Sequence, residues 1–155
     1  MPGGARRTAA AGSADVAALQ GVLAAENAAV YGYGLAGAHL SGGQLSVAQQ
    51  DWTLHRAASA TISAMITRRG AAPAAAPVAY RPPFRVNSAA AAVALTAILE
   101  DGLVTAYLGL VALDDRSLRT FGAQQMQAAA IRAAGWRGST TAFPGLPASA
   151  LRSAG

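Results

Sequence analysis

Glu26, Glu100 and His55 are the side chains of this sequence best placed by type and spacing to do acid–base or metal chemistry. The chain has only two glutamates, and each sits where a helical apolar pattern calls for Leu or Val. Around Glu26, the residues Val16, Leu19, Leu23, Val30, Tyr33, Gly37 and Leu40 recur at steps of three and four, which keeps side chains on one face of a helix. Val93, Thr96, Leu103, Tyr107 and Leu110 do the same around Glu100, although Leu95, Ile98 and Leu99 offer a second apolar face. His55 interrupts a third seam made of Leu45, Ala48, Trp52, Ser59, Ile62 and Ile66. A carboxylate in such a seam must be paired, protonated, hydrogen-bonded or bound to metal, because an uncompensated charge in an apolar interior is very costly.

Two chemistries answer that requirement. Two carboxylates and one histidine are ligand types that suit iron or manganese, so Glu26, His55 and Glu100 are candidate ligands for either ion. A dinuclear site asks for about six ligands, and the only further acid near at hand is Asp51, one turn before His55 and facing a neighbouring direction. The other answer is a buried hydrogen-bonded network of Glu26, Tyr33, His55, Glu100, Tyr107 and Arg132. Arg132 suits the part of a substitute cation, because a guanidinium can bridge two carboxylates with fixed geometry. The missing ligands favour the network: no catalytic residue and no resident cofactor are expected, with the metal set as the alternative.

Other function classes drop out on composition. There is no cysteine, which removes disulfides, thiolate metal sites and cysteine nucleophiles. All twelve basic residues are arginine, and without lysine no Walker-type phosphate loop can form. No serine stands in Gly-x-Ser-x-Gly. The net charge of +5 is spread over short pairs such as Arg68-Arg69 rather than gathered on one face, so nucleic acid is not an expected partner. The long uncharged stretch from Asn27 to Gln50 holds His39, Gln44, serines and glycines and is too polar to span a bilayer. A soluble cytoplasmic protein without membrane contact is the expectation. Trp52 and Trp136 read as core or interface anchors, and Tyr31, off the main seam, as a contact residue.

The elements that must position these side chains are helices, since alanine dominates and β-branched residues are sparse. With 155 residues the chain reads as one domain. Residues 1–12, small and without period, read as a disordered leader, residues 13–138 as the bundle, and residues 139–155 as a tail that packs and then frays. The first helix is expected from Ser13 to about Leu40, with close packing at Gly32, Gly34 and Gly37, and the second from Ser46 to Arg69. Pro73, Pro77, Pro82 and Pro83 forbid a helix over 70–87. Asn87 or Ser88 caps a third helix to about Leu113, and a fourth runs from Ser117 to about Trp136 with Leu118, Phe121, Gln125, Ala128 and Arg132 on its seam. Four helices in two hairpins joined by a long Pro-rich crossover is the ferritin-like plan.

Ala25-Glu26-Asn27-Ala28-Ala29-Val30-Tyr31-Gly32-Tyr33-Gly34, together with His55-Arg56, Leu99-Glu100-Asp101-Gly102, Trp136 and Ala142-Phe143-Pro144-Gly145, resembles an Ala-rich bacterial ferritin-like family with a domain of unknown function. The resemblance covers roughly residues 15–147. It implies the all-α ferritin-like bundle, with Glu26 and Glu100 at the helix-one and helix-three acid positions. It departs at Asn27, where the family commonly has histidine, at Trp52, where a ferritin-like helix two has glutamate, and in the fourth helix, which carries glutamines 124, 125 and 127 instead of an acid and a histidine. The reading is therefore an incomplete di-iron site in a structural or protein-interaction bundle. A homodimer through an Ala/Gly-rich face or a protein partner is expected, and an iron or manganese oxidoreductase is the alternative.

Overall fold

The computed structural model describes residues 3–138, so the tail expected over 139–155 lies outside the described residues. The chain is all-α, with α1 at Gly3–Gly37, α2 at Gly42–Arg68, α3 at Ala89–Val111 and α4 at Arg116–Arg137. Helix α1 runs on through residues 3–12, where the sequence pattern suggested a disordered leader and an N-cap at Ser13. The stretch lacks an apolar period but is rich in alanine, the strongest helix former.

Local signals set the other ends. Helix α2 starts at Gly42, behind Ser41, rather than at Ser46. The Ser46 hydroxyl instead donates back to the Gly42 carbonyl inside the first turn, at 3.3 Å. Ser88 caps α3 by accepting the Ala91 N–H at 3.1 Å. Asp115 caps α4, accepting the N–H groups of Ser117 and Leu118 at 2.8 and 3.1 Å. It also pairs with Arg69 from the end of α2 at 3.2 Å.

Pairs of contacting residues give the helix directions. Tyr33 meets Asp51 while Glu26 meets His55, so α1 and α2 are antiparallel. Tyr33 meets Glu100 while Glu26 meets Tyr107, so α1 and α3 are antiparallel as well, and the Pro-rich segment joins the parallel helices α2 and α3. That segment is pinned to α1 by the Gln20 side chain, which donates to the Ala72 carbonyl at 2.7 Å and accepts the Ala74 N–H at 2.9 Å. Tyr80 stacks at a tilt on Tyr31, ring centroids 5.3 Å apart.

Helix α2 packs on α1, α1 on α3 and α3 on α4, whereas the backbones of α2 and α4 nowhere come close. Helix α3 is long and apolar enough to cross a membrane by length and composition, and 39% of its apolar window is buried between α1 and α4. The core is built by Leu19, Leu23, Tyr33, Ile62, Ile66, Leu103, Tyr107 and Leu110. Two glycines carry close helix approaches. A Cβ on Gly122 of α4 would stand 2.7 Å from Leu110 Cβ and 2.9 Å from the Tyr107 carbonyl oxygen, and one on Gly32 would run into the Leu99 side chain. Gly34 faces open space and Gly37 has only ordinary contact with Leu45, so of the three glycines expected to mediate packing in α1, Gly32 alone does so tightly.

Candidate functional site

The inward seam positions of α1, α2 and α3 bring Glu26, His55 and Glu100 to one level of the bundle, each almost wholly excluded from solvent. His55 stands between the two acids. Its Nδ1 lies 2.8 Å from Glu26 Oε2 and its Nε2 lies 2.9 Å from Glu100 Oε1. Tyr107 donates to the second oxygen of Glu26, and Tyr33 donates to Glu100 Oε1 at 2.7 Å. From α4, Arg132 Nε donates to that same Glu100 oxygen at 3.0 Å. The structure thus brings together all six side chains named from the sequence.

Burial by itself pulls the His55 pKa down, but the hydrogen bonds to Glu100 and Glu26 outweigh it and carry it up to about 9. His55 is then an imidazolium at neutral pH, donating from both ring nitrogens. Burial pushes the Glu100 carboxyl up, and the hydrogen bond and charge of His55, with Arg132 behind them, turn the net shift downward. Arg132 is raised against its own desolvation by its hydrogen bond to Glu100. Tyr33 and Tyr107 are raised, first by burial and then by the adjacent carboxylates, so both remain neutral proton donors.

Asp51 and Trp136 extend the network and were not assigned to it from sequence. Asp51 is 6% exposed, and its Oδ2 accepts the Trp136 indole N–H at 2.9 Å, with the Tyr33 hydroxyl 3.3 Å away. Tyr33 has a single hydroxyl proton, and the shorter contact to Glu100 takes it. The spacing of Asp51 one turn before His55 was the available signal, since two positions four apart share a helix face when that face is broad. Asn27, at the position where the resembled family has histidine, accepts from Ser59 at 2.7 Å on the α1–α2 seam and does not join the site.

The arrangement does not fit iron or manganese as it stands. A metal ligand histidine turns a ring-nitrogen lone pair to the ion, and here each His55 nitrogen instead faces a carboxylate oxygen at hydrogen-bond distance. Three of the four oxygens of Glu26 and Glu100 already accept from protein donors, and Glu100 Oε2 is the buried oxygen left without a partner among the described residues. Among the described residues no group of three His, Asp or Glu side chains is arranged so that it could hold a metal ion. The positive charge that two such acids require is supplied by His55 and Arg132.

The space between α2 and α4 opens onto this network from outside. One part of the cleft is bounded by Gln44, Val47 and Asp51 of α2 and by Arg132, Gly135 and Trp136 of α4. A second part, toward the other end of the helices, is bounded by Leu54, His55 and Thr61, by Phe121 and Gln125, and by Glu26 at its floor. Arg132 lines both. Of the seam expected for α4, Phe121, Gln125 and Arg132 line the cleft and Leu118 is buried in the bundle, where Gly122, Ala129 and Ala133 join it.

The profile of a family described as a domain of unknown function, DUF4439, matches residues 18–148. The chain belongs to the DUF4439 family. The crystal structure of a conserved hypothetical protein, rv2844, from Mycobacterium tuberculosis is similar, with 31% identity and a TM-score of 0.77. The similarity covers 81% of this chain and 96% of that one. No curated protein matches. Every member of the buried network, from Glu26 to Trp136, falls inside the DUF4439 span, as do both walls of the α2–α4 cleft.

Proposed function

We propose that this chain is a non-catalytic bundle of the ferritin-like type, in which two protein cations take over the neutralising part that metal ions play in a di-iron carboxylate site, and that it works by association. The observation that carries this reading is the placing of His55 between the two acids, one ring nitrogen 2.8 Å from Glu26 and the other 2.9 Å from Glu100. A side chain so placed locks the registers of α1, α2 and α3 against one another and leaves no lone pair for redox metal chemistry. Exposed Val47 and Leu54, along the cleft-facing side of α2, add apolar surface suited to a partner. A second copy of the chain or another protein is the associate this reading favours.

Anaerobic titration with Fe(II) or Mn(II), followed by desalting and elemental analysis, tests the reading. The expected outcome is far less than one metal per chain. Retention of one or more tightly held metals per chain, lost in Glu26→Gln or Glu100→Gln, would instead establish the iron or manganese carboxylate protein with Glu26, His55 and Glu100 as ligands.

A further inference from the structure

Asp51 and Arg132 face the same cleft of about 360 Å3, yet neither neutralises the other. Arg132 uses only its Nε, on Glu100, and its two terminal nitrogens have no hydrogen-bond partner among the described residues. Asp51 uses only Oδ2, and its Oδ1 likewise has no partner among the described residues although the residue is almost fully buried. The two charges sense each other across the gap without forming an ion pair. A cleft with a partly unused carboxylate on one wall and a guanidinium fork on the other is complementary to a ligand that carries both an ammonium and a carboxylate. The fork matches a carboxylate in two-point fashion. Val47 and the Trp136 ring supply apolar contact, Gly135 leaves room, and the volume lies within the range of small-molecule sites.

We propose that the α2–α4 cleft is a binding site for a small zwitterion, an α-amino acid with an apolar side chain, whose carboxylate is held by Arg132 and whose ammonium is held by Asp51. Gln44 lines the same wall as Asp51. This goes beyond the non-catalytic reading and does not rest on it, since neither Asp51 nor the free end of Arg132 takes part in the His55 lock. A simple anion is disfavoured, because Glu26, Glu100 and Asp51 together outnumber His55 and Arg132 in charge.

Calorimetric titration of the full chain with L-leucine, 3-methylbutylamine and 4-methylpentanoate separates the contributions. One molecule of L-leucine is expected per chain. The amine, which lacks the carboxylate, and the acid, which lacks the ammonium, should each bind about tenfold or more weakly, the range expected for losing one charge-assisted contact. Asp51→Asn keeps an oxygen for the Trp136 indole and should bring leucine down to the level of 4-methylpentanoate. Gly135→Phe puts a ring into the cleft at a position where an added Cβ meets nothing within 4 Å, so it should abolish binding with an unchanged melting temperature. Absence of leucine binding at millimolar concentration, equal binding of either one-charge analogue, or unaltered binding by Gly135→Phe would each overturn the assignment.

Discussion

Arg132 reaches from α4 to place its Nε 3.0 Å from Glu100 Oε1, an oxygen that also receives Tyr33 and His55. With the Trp136 indole on Asp51, this contact binds the fourth helix to a network whose other members come from the first three. Removing the guanidinium strips a buried carboxylate of one of its two cations. Arg132→Met, which keeps the apolar stem, should lower the unfolding free energy by about 3 kcal/mol, the scale of breaking one side of a buried ion pair. Urea denaturation followed by circular dichroism measures it, and a change under about 0.5 kcal/mol would show that Arg132 does not hold α4 in this way.

The raised pKa of His55 fixes a direction for pH dependence. The group binds its proton more tightly folded than unfolded, so its contribution is fully present below about 6.5 and is lost as pH rises through about 9. A shift of this size corresponds to about 3 kcal/mol. Stability should therefore decline between pH 6.5 and 9 in the parent chain, and the decline should flatten in His55→Gln. Denaturant midpoints at half-unit pH steps check both curves, and a parent whose stability rises over that window refutes the imidazolium assignment.

Glu26→Gln would be a mild change if the network held protonated acids. With His55 Nδ1–H and Tyr107 O–H both donating to Glu26, the amide offers one acceptor oxygen where two are used and turns an NH2 toward a donor. The variant should lose about 2–4 kcal/mol. Thermal melting at pH 7 provides the measurement, and a variant as stable as the parent would count against a charged network.

Gly122 and Gly32 should respond differently to alanine. Each gains about 1 kcal/mol from helix propensity. At Gly122 the new methyl meets the Tyr107 carbonyl and the backbone of Val111, which cannot move aside, and overpacking costs about 1–3 kcal/mol, so net destabilisation follows. At Gly32 the obstacle is the end of the Leu99 side chain, which can change rotamer, and Gly32→Ala should be close to neutral. Paired denaturation curves would expose the contrast.

Much of the site was legible because helical period is a local property. Glu26, His55 and Glu100 sit at steps of three and four from apolar neighbours, and a helix turns them inward whatever it later packs against. Asp51 escaped because a face wide enough to bury two positions of one turn cannot be told from a narrow one by spacing. The start of α1 escaped for the opposite reason: residues 3–12 carry alanine and arginine, which favour a helix, but no apolar period.

The order of residues by itself determined an all-α chain, four helices, the prolines that forbid a helix between the second and third, and the inward turn of two acids and a histidine, since each follows from backbone geometry and side-chain chemistry within one segment. Tertiary structure decided which nitrogen of His55 meets which carboxylate, that Asp51 receives Trp136, that Gly122 lets α4 close onto α3, and that α2 and α4 stand apart around a cleft. Those outcomes depend on distances between helices, and such distances are set by the summed bulk of side chains from segments remote in sequence, a quantity that no single stretch of chain contains.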